Sequence, residues 1–437
     1  FEGRYTLDLT EDDAILVFSF VGMLTSEVPV AGLQTIDVIL EPDAVGLDEV
    51  VVTALGITKE KKSLGYSVQD LSSDELNRAV NPSLMTTLSG KVSGIEVRQS
   101  NGMPGAPSQI FIRGARSFSG NNEPLYVVDG MPISSSNDYG SNVYGSFFSN
   151  RALDLDPNSI ESINVLKGQA AAALYGMRAS NGVILITTKT GASASGGRPT
   201  VNVTTSYTVD AISRYPERQS TWGQGILGPF APTNSNSWGP RISEFPDDEV
   251  YGGNNFGQSG LFFDPYKGDW VEPLAYDNPR EFFQRGYTWQ KGVSISNATP
   301  KATYILGFNH TGQEGIIPSS DMHRTNANAG ATMQLGKRLK AGFSGNYANT
   351  QLNKLPGGND SYLFTVIGSP PSFDLMGTPY HQEGINGDYR QISYRRGAVG
   401  DNPRWALENY KWFENTDRFF GNTFLEAALA PWMTFKY

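Results

Sequence analysis

Along residues 200–212, TVNVTTSYTVDAI, apolar and polar positions alternate. Val201, Val203, Tyr207, Val209 and Ala211 fall on one face, and Asn202, Thr204, Ser206, Thr208 and Asp210 on the other. Side chains alternate across a strand, so this stretch predicts a strand with one oily and one wet face. Residues 324–336 set Ala327, Ala329, Ala331, Met333 and Leu335 against Asn326, Asn328, Gly330, Thr332 and Gln334. Residues 339–349 set Leu339, Ala341, Phe343 and Tyr347 against Lys340, Gly342, Ser344 and Asn346. Strands are expected near 200–211, 288–298, 302–313, 322–335, 338–350, 418–429 and from 433 onward. A soluble antiparallel sheet with one face on a core alternates in the same way. The connections separate the two cases. Thr299–Pro300, Gly336–Lys337 and Pro431–Trp432 are tight, whereas 212–287 and 351–417 are long. Tight turns at one end of long strands and large loops at the other mark a membrane β-barrel. Soluble domains rarely carry two structureless loops of that size. If residue 200 enters from the periplasm, both long loops lie outside the cell. About seven strands, an odd count, do not close such a barrel, so the sequence is expected to stop partway through the wall.

Upstream the pattern changes. Residues 61–195 are mixed α/β: Ser72 and Glu75 form a capping box that predicts a helix start, and SLMTTLSGKVSGIEV runs helix, turn, strand. SQIFIRG and PLYVVDG are strands closed by glycine. SINVLKGQAAAALYGMRASNGVILITTKTG, 162–191, runs from a strand through Lys167 and Gly168 into a helix and on to a second strand. Nucleotide sites begin similarly, but the Gly-x-x-x-x-Gly-Lys-Ser/Thr order is not met. Residues 1–42 hold short β-patterned runs, ILVFSFVGM and TIDVILEP among them, and read as a partial β-sandwich whose first strands are missing from the sequence. Residues 43–60 form a linker with one β-branched run, Val50–Thr53, flanked by Asp48 and Glu49. Such a run is either a strand of a neighbouring sheet or an unpaired edge open to another chain.

The bulk numbers narrow the chemistry. The 437 residues carry a formal charge of −10 and no long basic run, which argues against a nucleic-acid partner. With no cysteine and three scattered histidines, neither a metal centre nor a cofactor is expected. Asp154 and Asp156 are paired carboxylates, but the simplest role for them is a cap before Ser159, and no nucleophile–base constellation accompanies them. The chain is not read as an enzyme. A content of 20 Tyr, 23 Phe and 7 Trp beside 48 Gly suits strands and aromatic loops.

The ordered series LSGKVSGIEV (88–97), FIRG (111–114), PLYVVDG (124–130), DPNSIESINVLKG (156–168) and AALYGMRASNGVILITTKTG (172–191) resembles the plug of the SusC/RagA family of TonB-dependent outer-membrane transporters. The resemblance covers nearly all of 47–195. It implies a membrane β-barrel of about 22 strands with an α/β plug inside, behind a small carboxypeptidase-regulatory-like β-sandwich at 1–42. The barrel would begin at 196. It implies a TonB box in LDEVVVTALG (47–56), with Asp48, Glu49, Val50, Val51, Val52 and Thr53 as the pairing segment. It further implies a SusD-like surface lipoprotein, TonB with its ExbB/ExbD motor, pairing of transporter–lipoprotein units into dimers, and the outer membrane of a Bacteroidota-like Gram-negative bacterium, with extension and plug on the periplasmic side. The cargo would be an oligosaccharide or, in some members, a peptide. Phe118, Tyr139, Tyr144, Phe147, Trp222 and Trp238 are candidates to face it. Arg113, Lys167 and Arg178 are candidates for gating, Lys167 through an acidic plug or wall partner and the arginines through salt bridges from plug to wall. A passive porin or adhesin is the rival, and dependence of uptake on the proton-motive force separates the two.

Overall fold

The computed structural model describes residues 6–7, 14–18, 26–30, 35–40, 50–52, 58–60, 68–77, 81–99, 102–118, 122–133, 151–168, 170–191, 198–232, 234–355, 362–384, 386–394, 401–430 and 432–437. Two compact units divide at Gly65. In the first, β1 (Ile15–Phe18) pairs antiparallel with β2 (Ser26–Pro29), and β3 (Val50–Val52) with β4 (Thr58–Glu60). Residues 35–40, expected as a strand, keep an alternating exposure but have no ladder partner among the described residues.

The second unit begins with an α/β body. Its sheet takes the order β5 (Val68–Ser72), β10 (Ile160–Leu166), β11 (Val183–Thr188), β8 (Leu125–Val128) and β9 (Met131–Ile133). Only β8 and β11 run parallel. A second pair, β6 (Ile95–Gln99) and β7 (Ser108–Ile112), packs beside α2 (Leu84–Leu88), while α1 (Ser73–Asn77) lies against β5 and β10. α1 starts at the predicted capping box: the Ser72 amide donates to the Glu75 carboxylate at 3.0 Å, and the Glu75 amide donates back to Ser72 Oγ at 3.4 Å. β11 opens with a continuous apolar run, Val183–Ile186, because both of its faces are covered, and Ile163 and Val165 of β10 are fully buried beside Val183 and Ile184. Each such side chain contributes about 1.5–3 kcal/mol relative to exposure. The β8–β9 turn is made by Asp129 (φ 47°) and Gly130 (φ 87°), the mirror-image turn that suits a right-twisted hairpin.

Seven strands then form one antiparallel sheet in sequence order: β12 (Thr200–Asp210), β13 (Gly286–Ala298), β14 (Ala302–Glu314), β15 (Asp321–Gln334), β16 (Leu339–Lys354), β17 (Trp412–Ala430) and β18 (Met433–Lys436). They lie where the alternation places them, with longer upper ends. One face of this wall meets the α/β body: Ser344 Oγ donates to Asp129 at 2.9 Å, Asn422 Nδ2 to the Asp129 carbonyl at 2.8 Å, and Thr303 Oγ1 to the Thr190 carbonyl at 3.0 Å. The opposite face is apolar and bare, with Val203 72%, Leu306 57%, Phe308 50% and Phe419 76% exposed.

The two long connections are not the structureless loops expected. Residues 211–285 and 355–411 contain short paired strands and the helices α3 (Asn278–Phe282), α4 (Tyr362–Ile367) and α5 (Pro403–Asn409). Phe230, Ile242, Phe245 and Phe262 make one small core, and a second joins Phe282 to Tyr362, Val366, Phe373, Leu375 and Tyr394 across the two connections. The aromatic, Pro and Gly residues that signal loops are here spent on burial between segments distant in sequence.

Candidate functional site

The chemistry of this protein lies where the α/β body meets the wall. The 3-10 turn Arg151–Asp154 presents Asp154, 1% exposed, to the inner face of β16 and β17. Thr350 Oγ1 donates to its carboxylate at 3.1 Å, and Arg418 Nη1 and Arg151 Nη1 approach at 3.4 and 3.6 Å. Arg151 also pairs with Glu414 of β17, which is shared with Lys354 of β16. Arg418 Nη1 returns a bond to the Arg151 carbonyl at 3.0 Å. From β15, the buried Arg324 donates to the carbonyls of Pro82 and Leu153 at 2.8 and 2.6 Å, and Asn326 Nδ2 to that of Asp154 at 3.0 Å. Charge-assisted bonds in a water-poor setting are stronger than neutral ones and fix orientation. Asp156 is a cap, as its position implied: it accepts from the Asn158 amide at 3.1 Å. This latch was missed in the sequence. Asp154 stands out in the sequence, but Thr350 and Arg418, which answer its carboxylate from the wall, lie 196 and 264 residues away.

Above the latch, a polar cleft of about 370 Å³ runs between Met103, Gly105 and Ser108 of the body and Thr208, Asp210 and Gln313 near the loop end of the wall. The two long connections close over this end through buried polar bridges. Gln224, 1% exposed, donates to the carbonyls of Tyr394 and Asn234 at 2.8 and 2.6 Å, and its amide donates to Ser372 Oγ at 3.0 Å. Asn278, fully buried, donates to Ser369 Oγ and the Phe373 carbonyl, both at 2.9 Å. Lys267 pairs with Asp374 at 2.6 Å.

The predicted residues fall in several places. Lys167 takes neutral partners instead of the acidic one expected, donating to Gln69 Oε1 at 2.9 Å and Ser93 Oγ at 3.0 Å. Burial, and then the neighbouring Arg113 charge, lower its pKa below the ordinary lysine value. Arg113 takes a left-handed backbone (φ 59°) beside Gly94 and Gly168, and Arg178 is exposed on a 3-10 turn; among the described residues neither makes an ion pair to the wall. Among the described residues, Arg151 and Arg418 make ion pairs between body and wall. Phe118 is fully exposed at the tip of the β7–β8 loop, Trp238 is 64% exposed, and Trp222 lies under the Arg241 guanidinium at 5.3 Å. Tyr139, Tyr144, Phe147, Asp48, Glu49 and Thr53 lie outside the described residues. Val50–Val52 are not isolated, for Val50 faces Glu60, Val51 faces Lys59 and Val52 faces Thr58.

A sequence model of the TonB-dependent Receptor Plug Domain matches residues 60–183. TonB-dependent receptor P26 of Formosa agariphila is 32% identical over 98% of this chain, and TonB-dependent receptor SusC of Bacteroides thetaiotaomicron is 29% identical over 93%. The chain belongs to the SusC/RagA family of TonB-dependent receptors. It spans 38% and 36% of those two relatives. The fold is similar to the RagAB peptide importer in its open-open state, with TM-score 0.64 and 22% identity, covering 89% of this chain and 41% of that one. The α/β body is therefore the receptor plug, and the latch is the contact between plug and wall.

Proposed function

We propose that this chain supplies the plug and part of the wall of an outer-membrane importer driven by TonB. The observation that carries the proposal is a compact plug held by buried ion pairs and hydrogen bonds to one face of a wall whose other face is bare and apolar. Exposed patches of that kind are a liability in water and the required surface in a bilayer. From Leu339 to Tyr347 the outward positions of β16 span eight residue steps, ~27 Å along the strand and ~21 Å once tilted, close to the apolar height of such barrels. In this proposal the loop end faces outward, cargo enters the cleft beneath the two joined connections, and a SusD-like lipoprotein covers them. An oligosaccharide is the proposed cargo, since the exposed Trp222 and Trp238 rings offer flat apolar faces beside polar groups. Peptide uptake is the alternative, and a competition assay with glycan and peptide panels separates the two. Residues 1–42 would be a carboxypeptidase-regulatory-like extension on the periplasmic side.

Energy would enter at residues 48–53. The β3–β4 hairpin has three pairs, too short to be stable alone, so a TonB strand can replace Thr58–Glu60 as the partner of Val50–Val52. Tension from the ExbB/ExbD motor would then pass into the plug. Val51→Pro removes a backbone donor and is expected to abolish uptake while surface binding of cargo persists. Lys59→Pro opens the hairpin without touching the box and is expected to leave uptake intact. Uptake surviving in Val51→Pro refutes the assignment.

A further inference from the structure

The strand register sorts the outward face of the wall into rows. One row reads Val203, Val293, Phe308, Ala327, Tyr347 and Phe419; the row beneath it reads Val201, Ile295, Leu306, Ala329, Gly345 and Gly421. The row above reads Thr205, Lys291, His310, Thr325, Asn349 and Asp417. On β14 to β17 the apolar band therefore ends between Tyr347 and Asn349, while on β12 and β13 Tyr207 and Trp289 continue it upward as aromatic residues. At that edge Lys291 stands directly opposite His310, and His310 Nδ1 lies 2.9 Å from Thr325 Oγ1. The His310 and His323 rings stack at 6.1 Å, and Trp289 lies 6.0 Å from His323. Two of the three histidines in the chain thus share one patch with an exposed lysine that has no carboxylate within ion-pair distance among the described residues. The nearby acids are Asp321, 3.7 Å from His323 Nε2, with Glu314 opposite it, and Asp417, which is occupied by Tyr347 and Asn349. None of them contacts Lys291 or His310. Beneath the patch, Ala327 and Ala329 form the floor of an open trough bounded by Leu306 on one side and Phe343, Tyr347 and Phe419 on the other.

We infer that Lys291, His310, Thr325 and His323 hold the phosphate of a membrane lipid whose acyl chain lies in the trough below. The inference rests on the bilayer placement proposed above. Cations and hydroxyls set at the rim of an apolar band match a headgroup phosphate in charge and in depth. A lysine there extends its stem over apolar neighbours and keeps its ammonium at the headgroup level. The alanines beneath leave room where a larger side chain on β15 would fill it. A free phosphate ion would use the same donors but would gain nothing from the trough, so the proposed ligand is the lipid.

The test uses the receptor purified and delipidated in detergent, with native mass spectrometry reading lipid uptake at pH 6. Dioleoyl phosphatidic acid and dioleoylglycerol share tails and differ in phosphate. Phosphatidic acid is expected to bind at least ~10-fold more tightly, a difference of ~1.4 kcal/mol. The double variant Lys291→Gln/His310→Gln is expected to lose that preference while keeping the weak dioleoylglycerol signal. Lys291→Arg and the turn variant Lys301→Gln are expected to keep it, which shows that the wall remains folded. Equal binding of the two lipids, or an unchanged preference in the double variant, overturns the inference. Displacement by millimolar inorganic phosphate as effective as by phosphatidic acid assigns the patch to the free ion and overturns it too. If the receptor stays monodisperse without detergent and takes up neither lipid, the bilayer placement fails, and the inference with it.

Discussion

Replacing Asp154 by alanine removes the acceptor at the centre of the contact between plug and wall. Three interactions are lost: the Thr350 Oγ1 bond at 3.1 Å and the Arg418 and Arg151 contacts at 3.4 and 3.6 Å. Breaking one side of a fully buried ion pair costs about 3–5 kcal/mol. Here the guanidinium side chains keep 19% and 23% of their exposure, Arg151 retains Glu414, and Arg418 retains the Arg151 carbonyl. A loss of about 2–3 kcal/mol follows for this part of the plug. At 1.36 kcal/mol per decade, that raises the open population ~30- to 150-fold. Hydrogen exchange of the receptor in detergent reads this directly: amides of 151–159 are expected to exchange faster by that factor, while the ladder between β15 and β16 is unchanged. Asp154→Asn keeps an acceptor for Thr350 and is expected to fall between wild type and alanine. Exchange at 151–159 within ~3-fold of wild type in the alanine variant would refute the latch.

Two other perturbations probe the plug and the joined connections. Burial holds the Glu123 carboxyl up to about 7, against 4.5 for the exposed group, so the native plug retains a proton that the unfolded chain has released. Plug stability is therefore expected to fall by about 1–2 kcal/mol as pH rises from ~4.5 to ~7, discounted for partial exposure, and to level off above that. Glu123→Gln should flatten the profile in chemical denaturation of the plug, and an unchanged slope would remove Glu123 as its origin. Gln224→Ala leaves the carbonyls of Tyr394 and Asn234 without their donor, at about 1–3 kcal/mol. Limited proteolysis is then expected to accelerate at both 211–285 and 355–411; acceleration at the first alone would show that the bridge does not couple them.

The wall was legible because each of its strands separates two unlike surroundings. Ala327 and Phe343 look away from the plug while Asn326 and Ser344 bond to it, and that contrast writes a period of two into the sequence. The plug was legible by resemblance and by its local signals, such as the Ser72–Glu75 box and the Asp129–Gly130 turn. The connections were not. Their cores unite Phe282 with Tyr394, and Gln224 with Ser372, over separations at which no local periodicity survives. The latch was hidden for the same reason, since Arg324 and Arg418 stand on strands whose pattern predicts only an inward polar residue. Lys167 shows the opposite error: the local context demanded a partner for its charge, and the fold supplied Gln69 and Ser93 instead.

In the proposed placement one face of this wall meets lipid and the other meets the plug. With no cysteine in the chain, single cysteines at successive positions 341–351 can each carry a nitroxide in receptor reconstituted into a bilayer. Accessibility to oxygen and to a water-soluble nickel chelate reports the surroundings of each label. High oxygen access is expected at 341, 343, 345 and 347, low access to both probes at 344, 346, 348 and 350, and a switch towards the chelate at 349. A profile without period two, or one with the even positions facing lipid, would contradict that placement.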